Sequence, residues 1–67
     1  MKTLRKNTEA IIVDVQSYDV VSQHSSIELA EKNWKGYPQE VICVEWLDNS
    51  ISLEDAVYNY VKDRYYE

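Results

Sequence analysis

Residues 10–23, AIIVDVQSYDVVSQ, contain neither glycine nor proline and are dominated by β-branched side chains. That composition forms strand, because branched Cβ atoms fit a pleated surface and crowd a helical one. One straight strand of this length would span about 45 Å at ~3.3 Å per residue, more than a domain of this size uses in one sheet. A break or bend is expected at residues 16–19, giving either a bulged long strand or two short antiparallel strands. No Asn-Gly type turn chooses between them.

The need for so much strand follows from size. A chain of 67 residues makes one domain at most and removes only about 60% of its unfolded surface from water. Scaffolds of this kind are commonly stapled by disulfides, a structural metal or association. Cys43 is the only cysteine, which rules out an internal disulfide and a cysteine-rich zinc site and fits a reducing compartment. Association is the staple left open. With Met1 at its start and no linker, repeat or low-complexity tract, the sequence reads as one complete domain over residues 1–67, residues 1–8 forming a flexible lead. The basic opening is followed by an apolar run of residues 10–13 that Asp14 interrupts. This is too short for a signal peptide or a membrane span, so a soluble, cytoplasmic protein is expected.

Twelve acidic side chains face seven basic ones, for a net charge of -5 at pH 7. Lys2, Arg5 and Lys6 oppose Glu9 in the first ten residues, whereas residues 40–67 carry Glu40, Glu45, Asp48, Glu54, Asp55, Asp63 and Glu67 against Lys62 and Arg64. No lysine and arginine cluster is placed to neutralise several phosphates, so direct nucleic-acid binding is disfavoured.

Ser25-Ser26-Ile27-Glu28 has the capping-box pattern and predicts a helix start. At 100° per residue, Ile27, Leu29, Ala30 and Trp34 occupy one side, and Glu28, Glu31, Lys32 and Lys35 the other. Glu28–Lys32 and Glu31–Lys35 are favourable i,i+4 pairs. Gly36 is expected as the left-handed C-terminal cap and Pro38 as the stop. Residues 40–47, EVICVEWL, predict a strand with apolar residues on both faces: a central strand, or one covered by a helix and by a partner. Asp48-Asn49-Ser50 is turn chemistry, and Ser52 with Asp55 a weaker capping pattern. A second helix is expected from about Leu53 towards Tyr65, with Leu53, Ala56, Val57, Tyr60 and Val61 as its core stripe.

The predicted order is β(β)αβα: a small α/β or α+β domain of two helices against a two- or three-stranded sheet. If the strands around the first helix are neighbours, a right-handed crossover pairs them in parallel. If residues 10–23 form a hairpin, its first strand or the basic N-terminus supplies the third strand.

Catalytic chemistry finds little support. His24 has no histidine, cysteine or nucleophile at a recognisable spacing and reads as a solvated residue near the helix cap. Cys43 lies among Val41, Ile42 and Val44, without the cationic or helix-terminal surroundings a reactive thiol needs, and reads as a small buried hydrophobe. Residues 48–54 lack the ligand alternation and central glycine of a calcium loop, and a phosphate-cradling loop is not available with one glycine. No enzyme activity, cofactor or metal is expected.

What remains is a surface. The chain has no phenylalanine, and four of its six tyrosines lie in its last ten residues, YNYVKDRYYE. Tyr60 belongs to the core stripe. Tyr58 and Tyr65 share one flank and Tyr66 falls on another, so none of the three is explained by the core. Trp46 is expected in the core. Tyrosine and tryptophan are enriched at binding hot spots, and Glu45, Asp48, Glu54, Asp55, Tyr58, Tyr65 and Tyr66 are the candidate partner-binding residues of one acidic, aromatic patch. The corresponding function is a small acidic protein-binding module with a basic partner. By analogy of size and charge alone, it is of the kind that phages and mobile elements use to block host complexes, including by mimicking nucleic-acid charge. The alternative is a structural or assembly protein acting as a homodimer, supported by the two-faced strand.

Overall fold

The structure is a computed structural model and describes residues 4–66. Two helices pack against a three-stranded antiparallel sheet in the order β1 (Ala10–Asp14), β2 (Asp19–His24), α1 (Ile27–Asn33), β3 (Gln39–Cys43) and α2 (Leu53–Tyr65). The run of residues 10–23 is thus a hairpin. Asp14 makes the turn: its carboxylate accepts from the Gln16 and Ser17 amides at 2.8 and 3.1 Å, while the Tyr18 amide donates to the Asp14 carbonyl at 2.8 Å. Tyr18 closes the turn in the left-handed region, with φ 63°.

The strand order is β2-β1-β3, with β1 antiparallel to both neighbours. β2 and β3 therefore run in the same direction, as a strand–helix–strand crossover requires, but β1 is inserted between them. The central strand is β1, not residues 40–47. In β1, Ala10, Ile11, Ile12 and Val13 are all buried, because successive side chains of a middle strand meet a layer on each face. Ile11 and Val13 join Ile42, Val57 and Val61 under α2. Ala10 and Ile12 meet Ala30 of α1, with Val41 beside them. The pairing register shifts between Ile12 and Val13, which face Ser22 and Val20, so Val21 is an extra residue bulged out of the edge strand.

β3 stops at Cys43 because its partner stops. Ala10 pairs with Cys43, and one further bond runs from the Val44 amide to the Glu9 carbonyl at 2.9 Å. Before Glu9 the chain turns back, the Thr8 amide donating to the Arg5 carbonyl at 3.1 Å. With no ladder left to join, residues 44–46 wind into one 3₁₀ turn despite their alternating pattern. Residues 5–8 are tied to β2 through Gln23, whose Oε1 accepts from the Arg5 amide and the Thr8 hydroxyl at 2.8 and 2.9 Å. The first three residues of the expected flexible lead lie outside the described residues.

α1 is shorter than its pattern. Its cap is Ser26, whose hydroxyl accepts from the Leu29 amide at 3.1 Å, so Glu28 stands one position too early for the reciprocal arm of a capping box. The helix ends at Asn33, which leaves Lys35 outside it and removes the expected Glu31–Lys35 pair from helical spacing. Trp34 and Lys35 turn instead onto Gln39. The Trp34 indole donates to the Gln39 carbonyl at 2.8 Å, and the Lys35 amide to the Gln39 side chain at 3.1 Å. Gly36 does adopt positive φ, at 89°, but it shapes this return loop rather than capping the helix.

α2 follows its pattern closely. Ser52 accepts from the Asp55 amide at 3.2 Å, Ala56, Val57 and Val61 are buried, and Leu53 and Tyr60 pack at the core's edge.

Candidate functional site

The core contains no aromatic ring. Its buried side chains are isoleucine, valine, alanine and Cys43, while Trp34, Tyr37, Trp46, Tyr58, Tyr65 and Tyr66 are exposed and Tyr18 and Tyr60 lie at its edge. Trp46, expected in the core, is 59% exposed. The 3₁₀ turn carries it past the end of the sheet, where no layer covers it.

Five tyrosines converge at one end of the molecule, the end holding the β1–β2 turn, the start of β3 and the C-terminus of α2. The Tyr18 ring lies 4.8 Å from Tyr58 and 6.0 Å from Tyr66, centroid to centroid, both tilted. The Tyr66 hydroxyl donates to the Val15 carbonyl at 3.0 Å, fastening the last turn of α2 to the hairpin. The Tyr66 phenol is held above its ordinary pKa of 10.0, first by partial desolvation and then by the proximity of Tyr37, Tyr18 and Asp14, whose negative charge would oppose its own. Tyr37 is the most exposed ring of the protein, at 70%. Tyr65 stands beside Glu40, and its phenol is also raised, mainly by desolvation and then by that carboxylate. Glu40 pairs with Arg64 at 3.6 Å. The Lys62 ammonium lies 5.8 Å from the centre of the Tyr58 ring, an intramolecular cation–π contact.

This geometry groups Tyr58, Tyr65 and Tyr66, with Glu54 one helical turn before Tyr58 on the same face of α2. Glu54 and Asp55 occupy the first turn of α2, about 6 Å along the helix axis from Tyr58 in the case of Glu54, but about three turns before Tyr65 at 1.5 Å per residue. Asp48 is in the loop before α2, where its carboxylate accepts from the Ser50 hydroxyl and amide at 2.6 and 2.9 Å. Those bonds lower its pKa. Glu45 faces away from the tyrosines, lining a concavity with Thr8, Glu9, Ile27, Cys43 and Val44. Of the residues expected in one acidic, aromatic patch, Tyr58, Tyr65 and Tyr66 thus meet at the tyrosine end with Glu54 on the Tyr58 flank, while Asp48 lies in the loop before α2 and Glu45 in the 3₁₀ turn. Tyr18 and Tyr37 were missed, since their position depends on the hairpin and on the loop after α1. The signal available was Tyr18's place in an expected turn, beside residues otherwise polar.

Trp46 makes a third grouping. Its indole lies nearly parallel to the Tyr60 ring, at 6.3 Å and 9°, and the Arg64 guanidinium lies 5.8 Å from the centre of Tyr60. Tyr58 and Tyr60, two residues apart, point about 200° away from each other around the helix, so this stack and the tyrosine end occupy different flanks of α2.

The His24 ring is hydrogen-bonded to the Ser22 hydroxyl at 2.8 Å at the end of β2, and Cys43 is a buried free thiol. Among the described residues no group of histidine, cysteine, aspartate and glutamate is placed to hold a metal ion, and no helix is long and apolar enough to cross a membrane. Compared with family models, curated proteins and solved structures, the chain matches none of them.

Proposed function

We propose that this protein is a small protein-binding module whose tyrosine end engages a partner with a basic surface. The observation that carries the reading is the inversion of aromatic placement: an aliphatic core, with six of the eight rings exposed. An exposed tyrosine offers large apolar area with few side-chain rotors and a hydroxyl at its rim, the combination enriched at interface hot spots. The Lys62–Tyr58 contact exemplifies the chemistry such rings offer a lysine or arginine, and the net charge of -5 favours encounter with a positive partner. In this reading the protein acts by occupying its partner's surface. A setting in a phage or mobile element, with nucleic-acid charge mimicry as the mode of blocking, rests on size and charge.

Capture from a bacterial lysate by the wild type and by Tyr37→Ser/Tyr58→Ser, at low and high salt, tests it. The expected result is a discrete basic partner that high salt releases and the double variant does not retain. Equal retention by the variant would remove the tyrosine end from the account.

A specific observation favours self-association as the second reading. Ile27 and Leu29 of α1, with the bulged Val21 of the adjoining strand, are exposed apolar side chains, and a second copy is one cover for them. Sedimentation equilibrium separates the readings, since a strict monomer at high concentration excludes the dimer.

A further inference from the structure

Trp46, Tyr60 and Arg64 form a short ladder of flat groups on the flank of α2 opposite Tyr58. Tyr60 receives the chain's own guanidinium at 5.8 Å and the indole of Trp46 at 6.3 Å and 9°. The indole is 59% exposed, leaving surface on which a further flat cation can rest. Beside it runs a groove whose polar lining includes Asp48, Asn59, Asp63 and one cation, Lys62. Asp48 is held as carboxylate by its two bonds from Ser50, which lower its pKa. The groove's own lining thus carries two carboxylates against one ammonium, beside an indole that is more than half exposed, while the Arg64 guanidinium is already engaged by Glu40.

We propose that this groove receives an arginine side chain of a partner protein, its guanidinium stacked on Trp46 and its N–H groups directed to Asp48 and Asp63. Arginine fits better than lysine because a planar, weakly hydrated guanidinium can stack on an indole and donate in its own plane at the same time, whereas an ammonium is a compact, strongly hydrated point charge. The groove lies on another flank of α2 than the tyrosine end, with Lys62 reaching both, and it calls for a different ligand contact.

The test is a titration of the full-length, ¹⁵N-labelled protein with N-acetyl-arginine amide at low salt, followed at the Trp46 indole N–H and the Asn59 side-chain amide. Saturable shifts are expected at both and not at the Trp34 indole, which is bonded to Gln39. Trp46→Ala should weaken binding, read at Asn59, by about fivefold, the size of one exposed cation–π contact. Asp48→Asn and Asp63→Asn should each weaken it by about twofold, and Glu28→Gln, on α1 away from the groove, should leave it unchanged. Absence of saturation, an equal response to N-acetyl-lysine amide, or full binding in Trp46→Ala would each overturn the proposal.

Discussion

Tyr18 carries two opposed tasks at one residue. Its φ of 63° places Cβ near the following carbonyl oxygen, at a cost of about 1–2 kcal/mol that glycine would not incur. Its ring meanwhile sits against Tyr58 and Tyr66. Tyr18→Ala keeps the backbone cost and loses the rings, whereas Tyr18→Gly loses the rings but relieves the backbone. Urea denaturation should find Tyr18→Gly less destabilised than Tyr18→Ala by about 1 kcal/mol. Tyr66 gives a pH dependence of definite sign. Its folded-state pKa is raised, so the native state favours the neutral phenol, which also donates to Val15. That contribution is fully present below the unfolded value near 10.0 and is lost as pH rises through the raised folded value. An alkaline titration at 295 nm should show late ionisation of this ring, with stability falling over the same window. In Tyr66→Phe both the late phenol and its share of the alkaline loss should be absent.

The two helices differ in how firmly they are held. α2 places Ala56, Val57 and Val61 in the core, while α1 buries Ala30 alone. Val57→Ala, which opens a cavity beneath a fully buried position, should cost about 2 kcal/mol, a large share of the stability of so small a domain. Ser52→Ala removes the α2 cap and should cost about 1 kcal/mol of global stability. Ser26→Ala should cost less, because α1 opens without unfolding the sheet, and native-state hydrogen exchange should find the α1 amides less protected than those of α2.

This difference also explains what could be read from the sequence. In α2 the cap, the stripe and the length agree within one segment, so its residues announce both its bounds and its buried face. In residues 40–47 the alternation persists to Leu47, yet a strand extends only as far as its neighbour, and the neighbour's start is set by a turn at residues 5–8 that no local pattern in β3 records. α1 fails similarly at its end: the bonds that stop it come from Gln39, beyond the loop. The tyrosines of α2 could be named as surface residues because the stripe excluded them. Tyr18 and Tyr37 could join them only once the fold had brought the hairpin, the return loop and the C-terminus together.

For the molecule as a whole, the radius of gyration is 10.8 Å and the longest dimension 28 Å. The first matches the ~11 Å expected of a compact chain of this length, and the second shows why residues 10–23 fold back on themselves. So small a body buries little, and it spends its aliphatic side chains on two thin cores, one under each helix, while its rings face outward. Tyr18 and Tyr66 also hold the fold together, whereas the exposed Tyr37 and Tyr58 are the rings of the tyrosine end assigned to a partner. The most direct measurement is the amount of partner retained from one lysate by wild type and by Tyr37→Ser/Tyr58→Ser, compared between samples whose urea midpoints establish that both are folded. The wild type should hold a salt-sensitive partner that the folded variant loses. Equal retention by both, or no retention by the wild type, would contradict that assignment.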